Sequence, residues 1–125
     1  MFDHISFGVR DLAASGRFYD AALAPLGYTR LYEGAHGLGY GRDRPQFWLD
    51  TSPSPVPDDP KSGLHLCFRA ETRQAVDAFH AIALAQGGRD NGAPGLRPQY
   101  TPTYYAGFVF DPDGYRIEAV TFSVD

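Results

Sequence analysis

The chain has one cysteine, Cys67, one tryptophan, Trp48, and one methionine in 125 residues. A single cysteine excludes an internal disulfide and suits a reducing compartment. No apolar run approaches the roughly 20 residues that a membrane helix needs. Asp3 and His4 stand near the start with no apolar run behind them, which reads against a signal peptide. The expected location is therefore cytoplasmic. Basic residues are outnumbered, 11 against 15 acidic, and the formal net charge is −4. That balance argues against nucleic acid or an anionic membrane surface as the partner. Aromatic residues, in contrast, are plentiful: nine phenylalanines and eight tyrosines favour strands and an aromatic-lined pocket. The length suits one domain with a substantial core.

The chain also repeats itself. Shifted by 61 positions, "HISFGVRDLAASGRFYDAALAPLG" lies without a gap over "HLCFRAETRQAVDAFHAIALAQGG", with eight identities in 24 positions. Average residue usage predicts about two. His4 meets His65, Phe7 meets Phe68, Phe18 meets Phe79 and Gly27 meets Gly88. Each copy reads as a strand, a helix and further strands. Asp11 and Thr72 are placed to cap the helices, Gly27 and Gly87-Gly88 to stop them. "TRLYEG", "LGYG" and "QFWLD" are the strand candidates after the first helix, and "LRPQYT", "YYAGFVF" and "YRIEAVTF" those after the second. "DPDG" (111–114) marks a turn. The expected fold is α+β: two tandem βαβββ modules forming a curled mixed-sheet cup, with a helix on the outside of each. Module one spans 1–50, a proline-rich linker 51–62 and module two 63–125. "RDNGAPG" (89–95) reads as a second flexible stretch, a candidate pocket rim or lid.

Strand alternation then gathers chemistry. Phe2, His4, Ser6 and Gly8 share one strand face. In "GLHLCFRA", Leu64, Leu66 and Phe68 are assigned to the helix-packed face, and His65, Cys67 and Arg69 to the other. Glu118 sits between apolar neighbours in "YRIEAVTF", where a glutamate needs a partner or a metal. Each has an ordinary structural account alone, as a strand histidine or an exposed salt-bridged glutamate. If the two units pair about a pseudo-two-fold, the first strands bring His4 and His65 face to face and Glu118 completes the set. Two imidazoles and a carboxylate suit a divalent metal and leave positions open for water and substrate. His36 reads as a loop residue and His80 as surface or helix packing. Parity places Gln46, Trp48, Tyr105, Val109 and Arg116 on the ligand side, with Tyr100 and Arg97 reaching in from the loop. No catalytic acid or base is assigned.

"DHISFGVRDLAASGRFYDAALAPLGY", "GLHLCFRA" and "GFVFDPDGYRIEAV" together resemble the vicinal oxygen chelate superfamily: glyoxalase I, extradiol dioxygenases, fosfomycin-resistance thiol transferases and bleomycin-resistance proteins. The resemblance implies paired modules curled around a divalent metal (Zn, Ni, Mn or Fe), a substrate held through adjacent oxygens, and a homodimer. By position it implies His4, His65 and Glu118 as metal ligands. Trp48 falls where glyoxalase I typically has a fourth ligand, and an indole cannot coordinate. The implied activities are a glyoxalase-like lyase or isomerase, with an extradiol-type dioxygenase or a thiol transferase as alternatives. A non-catalytic binding protein of bleomycin-resistance type is the other class. Trp48, Tyr105, Arg116, Gln46 and Tyr100 are the candidate substrate-binding residues.

Overall fold

The structure, a computed structural model, describes residues 1–55, 59 and 61–125. Strand β1 (Ile5–Val9) leads into helix α1 (Leu12–Leu23), followed by β2 (Thr29–Glu33), β3 (Gly37–Gly41) and β4 (Phe47–Thr51). The second half repeats the order with β5 (Leu66–Arg69), α2 (Arg73–Ala85), β6 (Arg89–Leu96), β7 (Tyr105–Phe110) and β8 (Arg116–Thr121). The strands form two four-stranded mixed sheets, ordered β1-β4-β3-β2 and β5-β8-β7-β6. The βαβββ duplication expected from the sequence is thus present, and among the described residues β1 and β5 are each an edge strand. The expected linker falls partly on 56–58 and 60, which lie outside the described residues.

Both helices begin as the capping residues dictate. Asp11 accepts from the Ala14 N–H at 3.0 Å, and the Thr72 hydroxyl accepts from the Ala75 N–H at 3.1 Å. Each cap satisfies a donor that the first helical turn leaves without a partner. α1 relaxes into a 3₁₀ turn, Ala24–Leu26, and Gly27 closes it at φ 85°, a left-handed conformation that glycine adopts without steric penalty.

α1 and α2 pack on their own sheets and against each other. Phe18, Tyr19, Ala22 and Leu23 of α1 share one core with Val76, Phe79 and Ala83 of α2. Phe47 of the first sheet meets Phe68 of the second edge-on, centroids 5.3 Å apart. The apolar faces of the two sheets therefore close on a common interior, and the opposite faces are left on the outside.

A buried polar cluster fastens the halves together. Asp111 is 2% exposed and accepts the Tyr19 hydroxyl of α1 at 2.6 Å. Its second oxygen accepts the backbone N–H groups of Asp113 and Tyr115, each at 2.9 Å. Asp113 accepts the Arg10 N–H and the Ser15 hydroxyl. Tyr115 stacks on Phe7, centroids 4.1 Å apart, and donates its hydroxyl to the Gly8 carbonyl at 2.7 Å.

Several expected placements change. "RDNGAPG" is not a loop but most of β6; bulges between Asp90 and Gly92 and between Gly92 and Gly95 accommodate its glycines and Pro94 on a sheet edge. "LRPQYT" instead turns, with the Tyr100 N–H donating to the Arg97 carbonyl. Leu64 precedes β5 and is 71% exposed, so it does not share the packing of Leu66 and Phe68. Val109 lies wholly within the core, on the helix side of β7. Among the described residues, no helix is long and apolar enough to cross a membrane.

Candidate metal and substrate site

β5 and β8 run parallel with Cys67 opposite Glu118, and β7 places Phe108 opposite Glu118 on its other side. Glu118 thus occupies the central row of the second sheet, on the face away from α2. It is 1% exposed, an unusual degree of burial for a carboxylate. His65 lies just before β5, and its Nε2 stands 2.9 Å from Glu118 Oε1. The Tyr104 hydroxyl donates to Glu118 Oε2. Burial and the Glu118 carboxylate push the Tyr104 hydroxyl well above its ordinary value. Loss of hydration where the Cys67 thiol lies against its neighbours, then the Glu118 charge, push that group up as well, which makes it a poor nucleophile.

The other nitrogen of His65 defines the pair. Nδ1 lies 3.1 Å from the Gly63 carbonyl, which can only accept, so Nδ1 carries a hydrogen there. Nε2 then faces a carboxylate oxygen, an arrangement completed either by a proton on Nε2, which makes an imidazolium–carboxylate pair, or by a metal cation held between the two atoms. Donors each about 2.0–2.2 Å from one metal are roughly 2.8–3.1 Å apart at right angles and roughly 3.3–3.6 Å apart at the tetrahedral angle. The 2.9 Å between Nε2 and Oε1 is compatible with the former. A ligand histidine whose second nitrogen is held by a backbone carbonyl is the usual outer-shell pattern.

His4 is not part of this pair in the single chain. Its Nδ1 bonds Asp3 Oδ1 at 2.7 Å, and the residue is exposed. That bond, then the Arg44 charge, hold the Asp3 carboxyl below its usual value. Among the described residues, no three His, Cys, Asp or Glu side chains converge to hold a metal. The structure brings His65 and Glu118 together and leaves His4 apart, with its Nδ1 on a side-chain carboxylate where that of His65 is on a backbone carbonyl.

The remaining sequence candidates divide. Trp48 is half-buried on the outer face of the first sheet, beside Ser6. Gln46 is exposed and borders a 200 Å³ cavity between the sheets. Arg116 shares the Glu118 face, donates to the Asp59 carbonyl at 2.6 Å and lines a 470 Å³ cleft between the β1 and β5 edges. Tyr100 is 63% exposed and rests against Tyr104, centroids 5.0 Å apart. Tyr105 lies on the opposite face, packed against the core, its hydroxyl donating to Asp77 of α2 at 2.6 Å. Tyr104, which parity counting passed over, is the tyrosine that reaches Glu118. Counting back from the "DPDG" turn pairs 110 with 116 and 108 with 118, which carries the same face on to 104. His80 is 8% exposed and bonds Asp90 at 2.9 Å, a structural pairing of α2 with β6. His36 is exposed, and its carbonyl accepts from Thr51.

With this geometry in view, the likenesses are consistent. The Glyoxalase/Bleomycin resistance protein/Dioxygenase superfamily model matches residues 1–119. The chain belongs to that superfamily. The uncharacterized protein YqjT of Bacillus subtilis is 30% identical over 122 residues, covering 94% of this chain and 95% of that one. A glyoxalase/bleomycin resistance protein from Albidiferax ferrireducens superposes with a TM-score of 0.84 at 33% identity, covering 96% of this chain and 98% of its own. The fosfomycin resistance protein FosX of Listeria monocytogenes shares the fold, with a TM-score of 0.72 at 14% identity over 99% of this chain and 94% of its own.

Proposed function

We propose that the chain is a divalent-metal enzyme of the vicinal oxygen chelate type. It acts as a lyase or isomerase on a small molecule held through two adjacent oxygens, and each site is built from two copies of the chain. The observation that carries this reading is the opposition of His65 Nε2 to a buried Glu118 carboxylate, with His65 Nδ1 committed to a carbonyl. Two donors from one chain make an incomplete set. His4 of a second copy supplies the third, since its Nδ1 is engaged by Asp3 and its Nε2 is turned to no described partner. The surface fits such pairing. Phe2, two residues before His4, and Leu64, beside His65, are each 71% exposed, and Tyr100 and Phe122 are 63% and 43% exposed. Apolar surface of this kind is stabilised when a partner covers it.

When bound, the metal would supply Lewis-acid polarisation of the substrate's adjacent oxygens. The protein's part is positioning. The Gly63 carbonyl fixes the His65 tautomer. The Tyr104 hydroxyl fixes one Glu118 oxygen, so the other is aimed at His65. Tyr100 and Phe122 pack against the Tyr104 ring and so hold its hydroxyl on the carboxylate.

A second reading, a ring-cleaving dioxygenase, is favoured by Trp48. With an indole at the fourth position the donors reduce to two imidazoles and one carboxylate, the set used by non-haem Fe(II) oxygenases. Elemental analysis tests the common ground: about one metal per chain, lost on His65→Ala and on His4→Ala. Mixing the two variants and allowing subunit exchange should restore about a quarter of the parental sites, because each hybrid dimer holds one intact site. No recovery refutes the two-copy site. Oxygen uptake with iron selects the dioxygenase, and saturable ligand binding with neither metal nor product selects a sequestering protein.

A further inference from the structure

Four residues line up across the outer face of the first sheet. The register pairs Ser6 of β1 with Trp48 of β4, Trp48 with Gly39 of β3, and Gly39 with Tyr32 of β2. In a pleated sheet such cross-strand partners point the same way. Trp48 and Tyr32 are two strands apart, about 9.5 Å between backbones, yet their ring centroids are 5.3 Å apart at 60°. Gly39 permits this approach. A Cβ there would stand 2.8 Å from Trp48 Cζ3 and 3.0 Å from Pro45 Cβ, so the indole lies across the bare glycine and leans toward Tyr32. The lean draws the ring away from the β1 edge and leaves Ser6, a small exposed residue, in front of it. His4 precedes Ser6 by two residues on the same face. The first sheet thus presents an aromatic corner on the face that carries Ser6 and, two residues before it in the chain, His4.

We infer that Trp48 and Tyr32 form a wall that selects ligands carrying a planar ring beside their adjacent oxygens. The inference rests on the metal reading above and adds to it the shape of what the metal holds. Trp48 is the first-sheet counterpart of Glu118, since Ser6 pairs with Trp48 as Cys67 pairs with Glu118, so one copy of the repeat sets an indole where the other sets a carboxylate and thereby provides a surface against which a ring stacks. Trp48 is half-buried and Tyr32 is 50% exposed, and neither belongs to the shared core. Their faces are available to a ligand. Offset or edge-to-face ring contacts add to area burial, and Ser6 leaves room for a ring to lie beside the indole without displacing a large side chain.

Two chelators with the same head separate the ring from the oxygens. Acetohydroxamate and benzohydroxamate both bind a metal through adjacent oxygens, and only the second carries a ring. Calorimetric titration of the cobalt(II)-loaded protein should show benzohydroxamate binding at least tenfold tighter. Trp48, the chain's one tryptophan, should report the ring directly through quenched fluorescence. Trp48→Leu should reduce the ratio to threefold or less, with acetohydroxamate affinity kept; Tyr32→Leu should reduce it in part and decides the matter if Trp48→Leu does not fold. A parental ratio near one, or a ratio unchanged by the substitutions, overturns the inference while cobalt absorbance still reports an intact metal site. Failure to take up cobalt at all overturns the metal reading, and this inference with it.

Discussion

Replacing Asp111 by asparagine should change the pH dependence of stability in a definite direction. Asp111 is 2% exposed, and burial raises its pKa from 3.8 to about 6, against the lowering effect of its hydrogen bonds from Tyr19, Tyr115 and Asp113. A folded-state value above the unfolded one means that the native protein holds the proton more tightly. The stabilisation linked to this proton is fully present below about pH 4 and is lost as pH rises through about 6. A shift of about two units corresponds to about 3 kcal/mol between those limits. Asparagine keeps the shape. Its oxygen can accept the N–H groups of Asp113 and Tyr115, and its amide can donate to the Tyr19 oxygen, reversing one bond. It does not ionise, so the loss with rising pH disappears. Urea unfolding of parent and Asp111→Asn, at one protein concentration and at intervals from pH 4 to pH 8, gives the difference in stability at each pH. Other groups cancel in that difference. The parent should lose about 3 kcal/mol relative to the variant across the range. A flat difference, or a parent that gains with pH, would refute the assignment of burial as the dominant influence on Asp111.

Other consequences are simpler. Tyr104→Phe keeps the edge contact with Phe122 but removes the donor to Glu118 Oε2; metal affinity should fall about tenfold or more, read by competition with a chromophoric chelator. Gly41→Ala places a Cβ 1.9 Å from the Arg44 carbonyl oxygen, a backbone clash that no rotamer relieves; unfolding midpoints should show a loss of several kcal/mol, on the order of 3 or more. Tyr19→Phe leaves Asp111 without the one side chain that links it to α1, and chemical denaturation should show a cost of about 1–3 kcal/mol.

Much of the architecture was legible because it is written locally and twice. Asp11 and Thr72 cap helices wherever they stand before an apolar stripe, and the Asp11 and Thr72 caps both formed. Register is a different kind of information. Tyr105 and Tyr104 are adjacent, and only the pairing of Phe108 with Glu118 decides which of them faces the carboxylate. The glycines and Pro94 of "RDNGAPG" weaken a strand by propensity. β6 forms because β7 supplies its partner groups and two bulges absorb the misfit, a tertiary influence on a segment that favours turns. Asp111 was visible only as a turn residue, since nothing local shows that Tyr19, 92 positions away in sequence, ends against it.

The histidine repeat shows most clearly what duplication does and does not specify. Two copies of one unit can pair through either of two surfaces, and the sequence is the same in both cases. Within one chain the apolar surfaces are the ones that meet: α1 contacts α2, Phe47 contacts Phe68 and Tyr19 reaches Asp111. That choice follows from the hydrophobic effect acting on the largest apolar areas available to a single chain. It leaves the polar faces, each with one histidine of the repeated pair, on the outside beside the β1 and β5 edge strands. On the two-copy site proposed above, a second copy brought to the same edges would add His4 to the His65–Glu118 pair of each chain. On that reading the burial of Glu118, the approach of His65 Nε2 to it and the exposed Phe2 and Leu64, near the two histidines in sequence, are parts of one arrangement. In it, metal binding and association are linked equilibria, and His4→Ala should weaken both together.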